Sequence, residues 1–206
     1  MKRLLIVRHA KSSWDFPELS DFERPLNHRG EKDVPDMATR IKKLGLKPEL
    51  MISSPANRAI TTARGFASVL GYPESHIVED KQHYHASSQE LRQLIRNFSD
   101  NYGVIMLFGH NPGLTYLINE LSDFRLDNLP TCGICGIDFF IDSWSQAKRG
   151  TGKKFYYDFP KNKFYLLILF GMYGGGLGEV FGTYWEGLGG YFRNMFGMLL
   201  GIFRES

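Results

Sequence analysis

The 206-residue sequence lacks most features of a secreted, disulfide-stabilised or nucleic-acid-binding protein. Its two cysteines are too few for a disulfide framework. Its net charge is only +3 and no run of basic residues is longer than two, so we expect no nucleic-acid partner. The apolar run Leu4–Val7 is shorter than the core of a signal peptide, which needs roughly 7–15 residues. These absences favour a cytoplasmic protein.

Glycine and aromatic residues, in contrast, are concentrated near the C-terminus. Eleven of the 22 glycines and ten aromatic residues fall within 165–206. We therefore divide the chain into a body, 1–164, which has the size of one ordinary domain, and a C-terminal appendage, 165–206, of unassigned structure.

The appendage has three interpretations. The uncharged stretch 164–178 is 15 residues long, below the ~18 that indicate a membrane span. Several of its glycines nevertheless have the four-residue spacing of packed membrane helices. It is a membrane-associating segment, an oligomerising segment, or a segment unrelated to function.

Three short apolar runs in the body each lead into a polar loop. Continuous apolar runs without alternation indicate strands that are buried on both faces of a parallel sheet. A helical pattern follows each polar loop, so the expected fold class is α/β, with a mainly parallel central sheet sandwiched by helices. The runs are Leu4–Val7, Leu50–Ile52 and Val104–Phe108.

Prolines and capping residues predict where the helices begin. Pro35 fits a first helical turn better than a helix interior, so we expect a break or a late start in the first helix. The second helix is predicted to open at Pro55 with Ser54 as its cap. The fourth is predicted to open at Pro112 with Asn111 as its cap.

Cys132 and Cys135 have the CxxC spacing that occurs in redox and metal sites. They fall in a predicted strand, where residues three apart point to opposite faces. No second pair of ligands completes a zinc site, so we predict no metal site here.

The residues that follow the three apolar runs predict an anion site. Open α/β sheets bind ligands at the carboxyl ends of their strands. If the three strands are neighbours, Arg8, His9, Arg58 and His110 converge at one edge of the sheet. Arginine matches the geometry of phosphate oxygens, and a neutral imidazole is a candidate nucleophile. The first turn of the second helix, which carries Arg58, also favours an anion.

Three motifs, in this order along the chain, resemble the histidine phosphatase superfamily, which includes the phosphoglycerate mutases. They are Arg8-His9, then Ser53-Ser54-Pro55 with Arg58 and Ala59, then Gly109-His110-Asn111-Pro112. The small size and a further motif look most like the SixA-type phosphohistidine phosphatases. That motif is Arg24-Pro25-Leu26-Asn27 with Arg29-Gly30. The resemblance covers 1–164. Ala10 stands where the superfamily usually has glycine, and alanine does occur in SixA-like members.

This resemblance implies a phosphoglycerate mutase-like three-layer α/β/α fold and a metal-independent phosphatase that needs no cofactor. His9 would accept the phosphoryl group and form a phosphohistidine intermediate that water hydrolyses. The implied catalytic residues are His9, Arg8, Arg58 and His110, and the candidate substrate-binding residues are Arg24, Ser54, Asn111 and His85.

The expected substrate is a phosphohistidine in a partner protein. Phosphomonoesterases of the superfamily usually add an acidic residue as general acid, and none can be placed here, although Glu79, Asp80, His83 and His85 lie in the relevant region. A P–N bond breaks without a strong external acid, which favours phosphohistidine. The alternatives are a small-molecule phosphomonoesterase or mutase, and a phosphate-binding module without turnover.

Overall fold

The order of the strands explains why the three apolar runs meet. The computed structural model describes residues 1–162. The strands of these residues are β1 (Lys2–Arg8), β2 (Leu50–Ser53), β3 (Val78–Glu79), β4 (Val104–Gly109), β5 (Ile134–Phe139) and β6 (Gly152–Asp158). The α-helices are α1 (His28–Lys43), α2 (Asn57–Leu70), α3 (Ser88–Arg96) and α4 (Gly113–Leu121).

These strands form one mixed sheet in the order β3-β2-β4-β1-β5-β6. β3, β2, β4 and β1 pair in parallel, whereas β5 is antiparallel to both β1 and β6. In the β1–β4 register Arg8 lies opposite Gly109, so the ends of both strands lie side by side. The three apolar runs are therefore adjacent parallel strands, as expected.

Two hydrophobic cores, one on each face of the sheet, hold the helices. Along β1, Leu4 and Ile6 face α3 and α4, while Leu5 and Val7 face α1 and α2. All four side chains are fully buried, which is why the run shows no polar alternation. The prediction of an α/β fold with a helical layer on each face is confirmed.

The two cysteines lie on opposite sides of this sheet. Cys135 belongs to the core under α3 and α4, and Cys132, which precedes β5, belongs to the core under α1 and α2. Both are free thiols, and burial raises their pKa values, that of Cys135 to about 12. Two thiols on opposite faces do not form a joint redox or metal site.

The expected break at Pro35 is wrong. α1 runs from His28 to Lys43 with Pro35 inside it, and Asn27 caps its first turn by accepting a hydrogen bond from the Gly30 amide at 2.9 Å. Pro35 is exposed, so water can reach the backbone carbonyl that lacks its usual helical donor. Packing of the opposite face of the helix into the core outweighs the lost bond.

The predicted caps of α2 and α4 are also wrong. Ser54 continues the extended chain of β2, because its amide donates to the Phe108 carbonyl at 3.0 Å, and α2 begins only at Asn57. Asn111 uses its side-chain amide to bond another loop, and α4 begins at Gly113. The Ser54 hydroxyl accepts from the Ala56 amide at 3.3 Å, ahead of the helix, and also lies 2.8 Å from Nε2 of His110 in the site.

The described residues Met1–Asn162 form one compact unit. None of the helices in this part of the chain is long and apolar enough to cross a membrane. The proposed appendage, 165–206, lies outside the described residues, and its three interpretations stay predictions.

Candidate active site

His9 is held in one tautomer by the main chain of the next residue. Its Nδ1 lies 2.7 Å from the carbonyl oxygen of Ala10. A carbonyl can only accept a hydrogen bond, so Nδ1 carries the proton and Nε2 carries the lone pair. The Nε of Arg58, which can only donate, lies 3.4 Å from Nε2 and agrees with this assignment.

The surroundings of His9 keep its ring neutral. Burial, reinforced by the positive charges of Arg58, Arg8 and Arg24, lowers the pKa of His9 to about 3, although the contact with Ala10 acts in the opposite direction. A neutral imidazole with its lone pair on Nε2 is a candidate nucleophile at neutral pH.

Arg58 projects from the first turn of α2 and is almost fully buried. Besides His9, it contacts Asp21, donating to the backbone carbonyl and, at 2.9 Å, to the carboxylate. Its own helix supports it through Thr62, whose hydroxyl donates to the Arg58 carbonyl at 2.7 Å and accepts from the Ala10 amide at 3.0 Å. The Thr62 side chain thus connects the backbone of Arg58 to the loop that starts at His9.

His110 follows β4 and lies beside His9, with ring centroids 5.1 Å apart. Its Nε2 is 2.8 Å from the Ser54 hydroxyl, while its Nδ1 is buried without a hydrogen-bond partner among the described residues. Burial and the neighbouring His9 and Arg58 lower the pKa of His110 to about 2. Ser54 therefore positions the second histidine of the site.

Arg8 and Asn111 share their acceptors in the loop before β5. Arg8 donates to the Leu129 carbonyl at 2.7 Å, and the Asn111 amide donates to the same carbonyl at 3.0 Å and to Asn128 at 2.8 Å. The Nε of Arg8 and the Oδ1 of Asn111 are buried without partners among the described residues. Buried polar atoms are rarely left unpaired, so these atoms have capacity for a ligand.

The structure thus brings Arg8, His9, Arg58 and His110 to one edge of the sheet, with Ser54 and Asn111 beside them. A model of the histidine phosphatase superfamily (branch 1) matches residues 4–85, a stretch that includes three of the four, Arg8, His9 and Arg58. The chain belongs to the histidine phosphatase superfamily. Phosphate-bearing substrates are typical of this superfamily.

Two curated sequences show the range of its relatives. An uncharacterized chloroplastic protein of Arabidopsis thaliana is 32% identical over 154 residues, which span 71% of this chain and 70% of that protein. A 2,3-bisphosphoglycerate-dependent phosphoglycerate mutase of Chelativorans sp. (strain BNC1) is 32% identical over 79 residues, which span 37% of this chain and 38% of that enzyme.

Solved structures of SixA proteins share the superfamily fold. The putative phosphohistidine phosphatase SixA of Agrobacterium tumefaciens matches with a TM-score of 0.64 and 23% identity, covering 76% of this chain and 97% of its own. A protein histidine phosphatase SixA complexed with tungstate matches with a TM-score of 0.63 and 22% identity, covering 77% of this chain and 97% of its own. At these identities the likeness concerns the fold.

Asp21 lies among the site residues, and sequence reasoning missed it. Its carboxylate accepts from Arg58 at 2.9 Å, Arg24 at 2.9 Å and the Tyr84 hydroxyl at 3.0 Å, and His85 Nε2 lies 3.3 Å away. Partial burial acts to raise its pKa, but Tyr84, Arg58 and Arg24 lower it to about 2. The sequence signal for Asp21 is its spacing of three residues from Arg24, with which it forms an ion pair.

Arg24 stabilises the loop between β1 and α1 in this structure. Its guanidinium donates to Ser13, Ser12 and Asp21, and it stacks on Trp14 with its Cζ 3.3 Å from the ring centroid. All these partners belong to the loop itself. A direct contact with substrate stays a prediction for Arg24, while its charge does act on the His9 ring.

His85 lies at the rim, with its side chain 56% exposed and its ring centroid 5.7 Å from that of His110. Of the other candidates for a general acid, Glu79 pairs with Arg64, and His83 is buried next to Asp80, away from the contacts described above. Within 1–162, no three His, Cys, Asp or Glu side chains are arranged to hold a metal ion.

Proposed function

We propose that this protein is a metal-independent phosphatase that forms a covalent intermediate on His9 and acts on phosphohistidine in a partner protein. The observation that carries the proposal is the Ala10 carbonyl 2.7 Å from Nδ1, which leaves Nε2 unprotonated as the nucleophilic atom. The cations around it, Arg8 and Arg58, supply the charge that a transferring phosphoryl group requires.

In the first step, the Nε2 lone pair of His9 attacks phosphorus and the bond between phosphorus and the substrate imidazole breaks. The substrate ring, protonated at its distal nitrogen, takes the bonding electrons and leaves as neutral imidazole. In the second step, water attacks the phosphorus on His9, the P–Nε2 bond breaks, and inorganic phosphate is released with a regenerated His9. Arg58 and Arg8 bind the phosphoryl oxygens in both steps.

The acid–base chemistry of the site supports a P–N substrate. Transfer from one imidazole to another needs no acid stronger than imidazole, whereas an alkoxide leaving group needs a proton donor. The carboxyl group nearest the cations is Asp21, and a pKa of about 2 makes it an ionised acceptor at neutral pH. An ester substrate would have to obtain its proton elsewhere, for which the exposed His85 is the candidate.

The test is phosphate release by the full-length protein and its His9→Ala variant from three substrates. A phosphohistidine peptide and phosphoramidate carry P–N bonds, and p-nitrophenyl phosphate carries a P–O bond. We expect His9-dependent turnover that favours the P–N substrates and is unaffected by EDTA. A preference for the ester would instead support a small-molecule phosphomonoesterase, and turnover of none of the three would support a binding module.

A further inference from the structure

The loop between β1 and α1 presents acidic and aromatic side chains beside the site. We call residues 14–23 of this loop the rim loop. Of the eight large apolar side chains that are exposed in residues 1–162, three belong to it: Trp14, Phe16 and Phe22. The same ten residues carry four carboxylates and no lysine or arginine.

The carboxylates of the rim loop differ in their partners. Asp21 is neutralised by Arg58 and Arg24 within the site. The other three, Asp15, Glu18 and Glu23, are exposed, and no ion pair links them to a cation within the part of the chain that the structure describes. The surface next to the phosphate-binding cations is therefore negative.

The rim loop is fastened to the catalytic elements. The Asn57 amide donates to the Phe22 carbonyl at 2.9 Å, and the Asn57 side chain donates to the Glu23 carbonyl at 2.9 Å. The Phe22 ring packs on Tyr84 with centroids 5.2 Å apart, and Tyr84 in turn packs on His110 at 5.5 Å. A loop held in this way loses little conformational entropy when a partner binds it.

The composition of this surface argues for one kind of partner. Three uncompensated carboxylates repel a small substrate that carries several negative charges of its own. They attract a surface with lysine or arginine, and the exposed aromatic rings offer contact area to apolar side chains around them. Basic residues next to a phosphoryl group would offset this repulsion.

We propose that the rim loop is the docking surface for the partner protein and selects a phosphohistidine that is surrounded by basic and apolar residues. This inference rests on the proposed function and adds to it a specificity that the catalytic residues do not supply.

The test uses two phosphohistidine peptides of equal length, one with lysine and arginine around the phosphorylated residue and one with aspartate and glutamate. Wild-type protein is expected to show a kcat/KM roughly five-fold or more higher for the basic peptide at low salt. The preference should shrink at 0.5 M NaCl, because salt screens exposed charges.

Variants locate the effect on the rim loop. Glu18→Lys, at a carboxylate without a hydrogen bond in the site, should lower the basic-to-acidic ratio roughly three- to five-fold or more, and Phe16→Ala should raise KM for both peptides. The kcat for phosphoramidate, which has no basic or apolar residues to contact Glu18 or Phe16, should stay unchanged, because repulsion by the rim carboxylates acts on its KM. The matched controls are Asp142→Lys and Phe140→Ala, also exposed but located after β5, at the opposite edge of the sheet.

Equal turnover of the two peptides, a preference for the acidic one, or the same response from the control variants would overturn the docking proposal while leaving the proposed function intact. Failure of the proposed function looks different, because phosphoramidate and both peptides would then be inert while p-nitrophenyl phosphate is hydrolysed. That result would overturn both proposals.

Discussion

The carboxylate of Asp21 lies 2.9 Å from the Nη2 of Arg58, in a structure where Arg58 also reaches the nucleophilic nitrogen of His9 at 3.4 Å. The cation that is proposed to bind the phosphoryl group therefore has an internal anionic partner on the rim loop. Phosphate binding must compete with, or adjust to, this carboxylate. The loop between β1 and α1 thereby sets the charge that an arriving phosphoryl group meets.

Replacing Asp21 by asparagine should tighten the binding of inorganic phosphate. The change keeps the shape of the side chain but removes one negative charge next to Arg58 and Arg24, so we expect the inhibition constant of phosphate to fall about two- to five-fold. The measurement is competitive inhibition of phosphoramidate turnover. Asp36→Asn is the matched control, because Asp36 pairs with Arg40 in α1, away from the site. Weaker phosphate binding in Asp21→Asn would show instead that the carboxylate positions the arginines.

The contrast between Asp21 and Arg58 shows what a single sequence can reveal. Arg58 follows a buried strand and begins a helix, so the periodicity of its neighbours placed it at the carboxyl edge of the sheet. Asp21 lies in a long loop without periodic pattern, and its position depends on tertiary contacts with α2 and with Tyr84. The role of the Ala10 carbonyl could not be predicted either, since every residue has a backbone carbonyl and the residue type does not show which one accepts from His9.

The predictions of where the helices begin were wrong for a related reason. Ser54 and Asn111 have the side chains of good caps, but Ser54 bonds His110 and Asn111 bonds the loop at Leu129. Both side chains bond tertiary partners, and although the Ser54 hydroxyl also accepts from the Ala56 amide at 3.3 Å, α2 begins only at Asn57. The prediction of a break at Pro35 was wrong because helix propensity alone does not include the apolar surface that the rest of α1 buries.

His9→Ala should abolish the covalent intermediate. Rapid quenching of wild-type protein with a labelled phosphohistidine peptide should yield an alkali-stable, acid-labile phosphoenzyme, because the phosphoryl group is transferred to Nε2. The variant should yield none. His76→Ala, an exposed histidine in the 3-10 turn that follows α2, should label like the wild type. Turnover near the wild-type rate in His9→Ala would disprove covalent catalysis through this residue.

Arg58→Ala should lower kcat/KM on the order of 10²–10³, since the guanidinium stabilises charge on the transferring phosphoryl group. Arg58→Lys keeps the charge but loses the planar donor geometry, so its kcat/KM should lie between the values of the wild type and of Arg58→Ala. Arg64→Ala removes a half-exposed arginine from the same helix, where it pairs with Glu74, and serves as control. An equal loss in Arg64→Ala would mean that the helix, rather than the guanidinium of Arg58, is affected.

His110→Ala should also lower kcat/KM on the order of 10²–10³ if its ring contacts the phosphoryl oxygens. Ser54→Ala removes the hydroxyl 2.8 Å from Nε2 and should show a smaller loss, because the ring remains but is less well positioned. Steady-state kinetics with phosphoramidate separate the two. A Ser54→Ala defect as large as that of His110→Ala would place the hydroxyl itself in contact with substrate.

The buried histidines should make the fold sensitive to mild acid. The pKa values of His9 and His110 are lowered to about 3 and about 2, whereas an unfolded histidine titrates near 6.5. Below pH ~6.5 the unfolded chain therefore binds protons that the folded chain does not, and the free energy of unfolding falls as the pH is lowered. Denaturant titrations of the full-length protein between pH 5 and 7 should show this loss, while stability between pH 7 and 8 stays nearly constant as far as these two groups are concerned.

The His110→Gln variant tests the contribution of one histidine. In this variant the slope of the free energy of unfolding against pH should decrease by up to about one proton. An unchanged slope would mean that His110 titrates alike in the folded and unfolded chain, which its burial beside His9 and Arg58 argues against.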